Sequence, residues 1–145
     1  MLLKECESKA EMLKNYKLLL EVYPKLTLEE YSQELDFMLQ NNYGQVGVYL
    51  NDECIGLSGY WIGSKLWCGR YLEADNVVIA EAHRSKGIGN LIFDYLKQKA
   101  QKEKCSMVSL DSYTTNFKAH KFFYNEGFEP RGFHFINILD KSKIR

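Results

Sequence analysis

The sequence predicts a single α+β domain, residues 1–145, with a mostly antiparallel mixed sheet of about six to seven strands flanked by about four helices. The 145 residues are 46% hydrophobic and 14% aromatic, a composition that suits one compact core. Apolar residues recur at helical steps near the N-terminus, whereas most later apolar runs are short and β-prone. A strand, a glycine-rich turn and an amphipathic helix then follow one another, which indicates one crossover connection in the sheet.

Two amphipathic helices are predicted in the N-terminal part of the chain. Residues 9–22 place apolar side chains on one face, and Pro24 ends this helix. Thr27 precedes Glu30 by three residues, which is the spacing of a capping box. A second helix is therefore expected to begin there and to end near residues 41–42.

Short β-prone runs and two further helices make up the rest of the predicted fold. A turn at residues 51–53 predicts a hairpin between the first two strands. A helix of about four turns is expected to begin at Ile88, with basic residues in its last turn, and a shorter one to span residues 116–126 and close at Gly127. Strands are predicted at residues 45–50, 54–62, 71–80, 107–113 and 132–139.

The net charge of the chain is zero, which removes the usual electrostatic reason to expect a nucleic-acid partner. Charge is nevertheless uneven along the chain. Residues 1–75 carry 12 acidic and 7 basic side chains, a net of −5, and residues 76–145 carry 7 acidic and 12 basic, a net of +5. The N-terminal part therefore suits a cation and the C-terminal part an anion, with chance surface patterning as the alternative.

No metal site, membrane span or disulfide framework is predicted. The four cysteines are scattered without a CxxC pair or a close histidine partner, which favours free buried thiols in a reducing cytoplasm. The three histidines share no spacing typical of metal ligands. No apolar run approaches the length of about 18 residues that a membrane-spanning helix requires. We therefore expect a soluble, cytoplasmic protein with neither a metal nor a membrane partner.

Residues 84–89, Arg-Ser-Lys-Gly-Ile-Gly, lie between a β-branched run and the start of the amphipathic helix. The N–H groups of a first helical turn have no intrahelical partner and the helix dipole is positive there, so this turn suits an anion. Glycines allow the backbone to approach phosphate oxygens, and a net charge of +4 over residues 84–104 favours a diphosphate. Neither a Walker loop nor the GxGxxG spacing is present, which argues against ATP and NAD.

Two motifs resemble the GCN5-related N-acetyltransferase (GNAT) superfamily. Arg84, Gly87 and Gly89 match the family signature R/Q-x-x-G-x-G/A, which follows its fourth strand. A second family pattern, N-x-x-A-x-x-F/L-Y-x-x-x-G-F, is matched at Asn116, Ala119, Phe122, Gly127 and Phe128. The two motifs occur in the family's order, and the resemblance, which covers essentially the whole chain, implies the GNAT fold.

The resemblance also implies that acetyl-CoA is the acyl donor. Backbone groups of residues 77–79 would pair with the pantetheine arm, where the fourth and fifth strands of the family splay apart. N–H groups of residues 84–90 would hold the pyrophosphate, and Asn116 would hydrogen-bond the arm. The implied cofactor-binding residues are Val77, Val78, Ile79, Arg84, Ser85, Lys86, Gly87, Ile88, Gly89, Asn90 and Asn116.

An acetyltransferase needs a general base, because a protonated amine cannot attack a thioester. By resemblance, Glu73 falls at the strand position of the catalytic glutamate in the histone-acetylating branch, and Asp75 matches an acidic residue common in small bacterial members. Two residues apart on a strand, these carboxylates are expected to share a face, to raise each other's pKa and to bind a cation. The alternative is that one or both lie on a solvated strand surface.

The chain departs from the family at the general acid, the tyrosine that protonates the leaving CoA thiolate. Alignment through the second motif places Phe123 at that position. Tyr124 is the next residue, about 100° around the helix, and becomes the candidate catalytic hydroxyl. Tyr113, water, or departure of an unprotonated thiolate are the alternatives.

Taken together, the resemblance implies an N-acetyltransferase that transfers acetyl from acetyl-CoA to a primary amine of a small molecule or peptide by direct attack in a ternary complex. Two other hypotheses stay open: a CoA-binding or sensing module without turnover, and a structural or protein-interaction domain. Tyr60, Trp61, Trp67 and Tyr43 are candidates for an aromatic wall around an amine. No motif identifies the acceptor, and pairing through edge strands leaves a homodimer open.

Overall fold

The computed structural model describes residues 1–145, which form two compact units, residues 1–110 and residues 111–145. The first unit is built on a five-stranded mixed sheet. Its strands, which neighbour one another in sequence order, are β1 (Leu2–Glu5), β2 (Tyr43–Leu50), β3 (Glu53–Lys65), β4 (Gly69–Ile79) and β5 (Val108–Leu110). The pairs from β1 to β4 are antiparallel, and β5 is parallel to β4. The α+β class is thus confirmed, but the sheet has five strands rather than six to seven.

The helices of the first unit cover both faces of this sheet. They are α1 (Lys9–Lys14), α2 (Tyr16–Leu19), α3 (Leu28–Met38), a 3-10 helix (Glu81–His83) and α4 (Ile88–Lys102). Met12 and Leu35, from α1 and α3, share a buried cluster with Leu57 and Val78 of the sheet. On the opposite face α4 lies so close that a Cβ on Gly56 would be 2.6 Å from Ile88. We call these the α1–α3 face and the α4 face.

The predicted first helix is interrupted at Asn15, which ends α1 and precedes α2. Its side chain is 3% exposed, and its amide nitrogen donates to Gln45 Oε1 at 3.3 Å and to the hydroxyl of Tyr49 at 3.0 Å. Polar groups buried in a core require such partners. Because the amide reaches β2, the backbone leaves the helical conformation at this residue, and a single helix over residues 9–22 was a wrong prediction.

Two local predictions are confirmed at residue level. Thr27 accepts from the backbone N–H of Glu30, whose carboxylate accepts from the N–H of Thr27, so the capping box is present. Helix α3 then ends at Met38, a few residues earlier than predicted. The β2–β3 turn has φ of 49° at Asn51 and 65° at Asp52, the left-handed pair that a tight hairpin requires.

Strand β4 contains a bulge that the sequence analysis did not predict. The β3–β4 register shifts between the pairs Leu57↔Val78 and Gly59↔Asp75, so the β4 side carries the extra residue. Asn76 adopts φ of 53°, a conformation that asparagine tolerates better than most residues. The extra residue reverses the alternation of the strand, which is why Val78 faces the same core as Leu57.

The second unit contains one α-helix, α5 (Phe117–Asn125), and a 3-10 helix (Lys141–Lys143). Helix α5 ends before Gly127, which has φ of 87° as the predicted closing glycine requires. Residues 132–139 form no strand, so the predicted last strand is wrong. Phe133 and Phe135 are 87% and 90% exposed there, and without a buried face a period-2 pattern does not create a strand.

Candidate functional site

The turn between β4 and α4 has the backbone of an anion-binding loop. Ser85 and Gly87 both adopt left-handed conformations, with φ of 60° and 79°. Gly87 is the N-cap of α4, so the N–H groups of Gly87, Ile88 and Gly89 belong to the helix start, where intrahelical acceptors are missing. Successive N–H groups in such turns form a concave anion site. No atom from elsewhere in the chain lies within 4 Å of the position that a Cβ on Gly87 would take, which leaves room for a phosphate to approach.

The two basic side chains of this turn already have partners within the chain. The guanidinium of Arg84 forms an ion pair with Glu21 at 2.9 Å and donates through Nε to the carbonyl of Ile79 at 3.2 Å. The ammonium of Lys86 donates to the carbonyl of Ala82 at 2.9 Å. The contacts of Arg84 therefore connect the turn to β4 and to the segment after α2. The backbone N–H groups of the turn are the groups placed to bind an anion.

Beside this turn, β4 loses its neighbour on one side. Strand β5 pairs only with residues 72–74, whereas β4 continues to Ile79. From Asp75 onward β4 has β3 on one side and no strand on the other. Residues 77–79 thus lie on the segment of β4 with an open edge, where the sequence analysis expected Val77, Val78 and Ile79 to bind an extended ligand arm. The carbonyl of Ile79 already accepts from Arg84 Nε.

Glu73 and Asp75 lie on the α1–α3 face of β4, since Leu72 and Ala74, which alternate with them, are buried on the α4 face. Asp75 is fixed by two hydrogen bonds. The indole N–H of Trp61 donates to its Oδ2 at 2.9 Å, and the backbone N–H of Asn76 donates to its Oδ1 at 2.8 Å. Glu73 is half-buried and lies opposite Trp61 in the β3–β4 register.

The structure adds residues to this site that sequence reasoning missed. The hydroxyl of Tyr23 donates to Asn76 Oδ1 at 2.8 Å, which connects the segment after α2 to the bulge beside Asp75. Trp61 was proposed only as part of an aromatic wall, but it is also a hydrogen-bond donor to Asp75. The one sequence signal for the bulge was Asn76, because asparagine tolerates a positive φ and this residue lies within a β-prone run.

The remaining predicted site residues belong to the second unit and are described by themselves. Asn116 is the N-cap of α5, and its Oδ1 accepts from the N–H of Ala119 at 3.3 Å. Tyr124 is 60% exposed, whereas Phe123 is half-buried with its ring 5.6 Å from that of Phe122 and 5.9 Å from that of Phe128. Tyr124 and Phe123 therefore differ in burial as well as in sequence position.

No group of three or more His, Cys, Asp or Glu side chains is placed to hold a metal ion. None of the helices combines the length and apolar character needed to cross a membrane. The side-chain chemistry of the site consists of the two carboxylates on β4 and the aromatic rings around them.

Comparison with known proteins gives a family and a relative. The model of the acetyltransferase (GNAT) family matches residues 9–128. YhdJ of Bacillus subtilis (strain 168), described as an uncharacterized N-acetyltransferase, is 30% identical over 122 residues, which cover 83% of this chain and 86% of the relative.

Solved structures share the fold at low identity. The ribosomal-protein-alanine N-acetyltransferase of Brucella melitensis biovar Abortus 2308 has a TM-score of 0.80 at 15% identity, covering 96% of this chain and 100% of that one. AAC(6')-Iy, solved with the bisubstrate analogue CoA-S-monomethyl-acetylneamine, has a TM-score of 0.79 at 13% identity, covering 95% and 99%. At such identities the likeness concerns the fold alone.

Proposed function

The chain belongs to the acetyltransferase (GNAT) family, and on that premise we propose that it transfers the acetyl group of acetyl-CoA to a primary amine of a small molecule or peptide. The observation that carries the proposal is the left-handed glycine turn at the start of α4 beside the open edge of β4. A diphosphate attached to an extended arm requires this combination of a concave set of N–H groups and an unpaired strand edge.

Residues 84–90 are proposed to hold the pyrophosphate of the donor through backbone N–H groups. Gly87 fits this role because its Cα faces open space and its φ of 79° suits glycine. Residues 77–79 would hydrogen-bond the arm along the open edge of β4. Asn116 remains a proposed contact to the arm, although its side chain also caps α5.

Glu73 is proposed as the general base. It takes a proton from the acceptor ammonium, and the freed nitrogen lone pair forms a bond to the thioester carbonyl carbon. The C–S bond breaks and its electron pair leaves on sulfur as a thiolate, and the nitrogen releases its second proton to solvent, which yields the neutral amide. Asp75 is better suited to hold the bulge in place, because both of its oxygens already accept hydrogen bonds.

The thiolate then needs a proton from a hydroxyl or from solvent. Tyr124 stays a candidate donor, but its 60% exposure favours water in this role. A thiol of ordinary acidity leaves as a thiolate without obligatory protonation, so the step proceeds without a dedicated acid.

The decisive experiment measures free thiol released from acetyl-CoA against a panel of amines, for the wild type and for Glu73→Gln. The proposal expects turnover with at least one amine and a loss of kcat in the variant without a comparable loss of CoA affinity. Saturable CoA binding with no turnover for any amine would favour the sensing module instead. Absence of CoA binding would contradict both functions.

A further inference from the structure

Tyr71 lies next to Glu73 on the α1–α3 face of β4, two residues nearer to the β3–β4 turn. Its cross-strand partner is Gly63, where an ideal Cβ would be 2.5 Å from the Tyr71 hydroxyl. A side chain at position 63 would therefore collide with the phenol, and the glycine allows the ring to lie across β3. The result is a half-buried aromatic surface beside the proposed base.

A cation already occupies this aromatic surface. The ammonium of Lys65 lies 5.0 Å from the centroid of the Tyr71 ring, within the range of a cation–π contact. Lys65 is exposed and pairs with Gly69 at the end of the hairpin, so its side chain can move into solvent without disturbing the sheet.

The electrostatic surroundings on this face also favour a cation. Glu73 and Asp75 contribute two carboxylates on the same face of β4 as Tyr71, and Lys65 is the cation that faces the ring. Side chains two residues apart on a strand lie roughly 7 Å from each other. The phenol and the proposed base are thus spaced for two positive groups of one extended molecule.

We propose that Tyr71 forms a cation subsite for the acceptor, and that the acceptor carries a second positively charged group about 7 Å from the amine that is acetylated. The class is that of short diamines and their derivatives, since a four-carbon chain separates two nitrogens by about this distance. In the absence of such an acceptor Lys65 covers the ring, and the second ammonium group displaces it. The inference rests on the proposed function, because Glu73 defines where the reacting amine lies.

Equilibrium binding of 1,4-diaminobutane and of butylamine to the full chain, measured by calorimetry with CoA present, tests the subsite without requiring turnover. The diamine is expected to bind about 3- to 30-fold more tightly than the monoamine, the range that a cation over an aromatic face contributes. Tyr71→Leu should bring this ratio close to one, and Tyr71→Phe should preserve most of it because the ring face remains.

Two variants in the same hairpin serve as controls. Lys65→Gln removes the internal cation and should strengthen diamine binding about two- to threefold, as expected for a weak competing contact. Leu66→Ala shortens a fully exposed apolar side chain at the hairpin end and should leave the ratio unchanged. A ratio near one in the wild type, or a ratio unaltered in Tyr71→Leu, overturns the subsite.

Kinetics with both amines separate the failure of this inference from the failure of the proposed function. Turnover of both amines with equal kcat/KM overturns the subsite and leaves the acetyltransferase activity intact. Selective binding of the diamine without turnover of any amine supports the subsite and contradicts the activity.

Discussion

At the scale of single residues, two acids of the same strand face have different surroundings. Asp75 accepts N–H groups at both oxygens, from Trp61 and from the backbone of Asn76. An asparagine at position 75 has one acceptor oxygen and one NH2 group, so one of those two donors would face another donor. Glu73 lies on the same face but outside the bulge, and it stays the proposed base, whereas Asp75 is proposed to support the local structure.

Glu73→Gln is therefore expected to lower kcat by about 10²-fold, the usual effect of removing a general base, with little change in CoA affinity. Asp75→Asn is expected to lower the free energy of unfolding by about 1–2 kcal/mol, because it leaves a partly buried donor without an acceptor. Steady-state kinetics and urea unfolding of both variants check these outcomes. A 10²-fold loss of kcat in a fully stable Asp75→Asn protein would move the base to Asp75.

Tyr124→Phe tests the proposed absence of a dedicated general acid. Water is the proposed proton source for the thiolate, so loss of the exposed Tyr124 hydroxyl should change kcat by less than about threefold. Phe123→Tyr is the companion variant, since it returns a hydroxyl to the position that the family resemblance assigns. A collapse of kcat in Tyr124→Phe with unchanged CoA affinity would identify Tyr124 as the acid.

At the scale of elements, a substitution of Gly87 in the turn before α4 is expected to weaken CoA binding, whereas a substitution of another left-handed glycine should affect stability alone. Gly87→Ala adds a Cβ at φ of 79°, with a strain of about 1 kcal/mol, and places it where the phosphate would approach. Gly69→Ala is a matched control, since Gly69 has φ of 72° and its Cβ position is equally open. Both variants should lose similar stability, and only Gly87→Ala should weaken CoA binding in a titration. Equal CoA affinity in the two variants would contradict the role of the turn.

The elements that could be predicted from the sequence are those with a local signal. The capping box at Thr27, the hairpin turn at Asn51 and Asp52, and the glycine closing α5 each depend on neighbouring residues only. Strand β1, by contrast, was missed because it is four residues long with half of its side chains exposed. The break at Asn15 depends on a hydrogen bond to Gln45, thirty positions away, which no local pattern contains.

The same limit applied to the candidate site. The spacing of Arg84, Gly87 and Gly89 predicted the turn, because its conformation follows from glycine and a helix start. The partner of Arg84 is Glu21, on a segment with no motif, and the contact exists only in the folded chain. Tyr71 carried no sequence signal, since its position beside Glu73 matters only together with Gly63 and Lys65 across the hairpin.

At the scale of the whole molecule, the carboxylate of Glu5 links three elements on the α4 face of the unit formed by residues 1–110. Glu5 on the edge strand β1 accepts from the hydroxyl of Tyr60 on β3 at 2.8 Å and pairs with the ammonium of Lys99 on α4 at 3.0 Å. Burial tends to raise the pKa of Glu5, but hydrogen bonds from Tyr95, Lys99 and Tyr60 outweigh it and hold that pKa below its ordinary value. The network connects two non-adjacent strands and a helix.

Because the folded-state pKa of Glu5 is lowered, its contribution to stability is present above the unfolded-state value, near 4.5, and is lost as the pH falls through the folded value. Glu5→Gln should therefore lower the free energy of unfolding by about 1 kcal/mol at neutral pH, a figure reduced for partial exposure. The difference between variant and wild type should shrink once the pH falls below 4.5 and vanish in stronger acid.

Asp36→Asn is the matched control, because Asp36 pairs with Lys9 at 2.6 Å but is 64% exposed, and exposed pairs contribute less than about 0.5 kcal/mol. Urea unfolding from pH 3 to pH 8 measures both, and a Glu5→Gln deficit that persists unchanged in acid would show that the side chain acts through packing rather than through its charge.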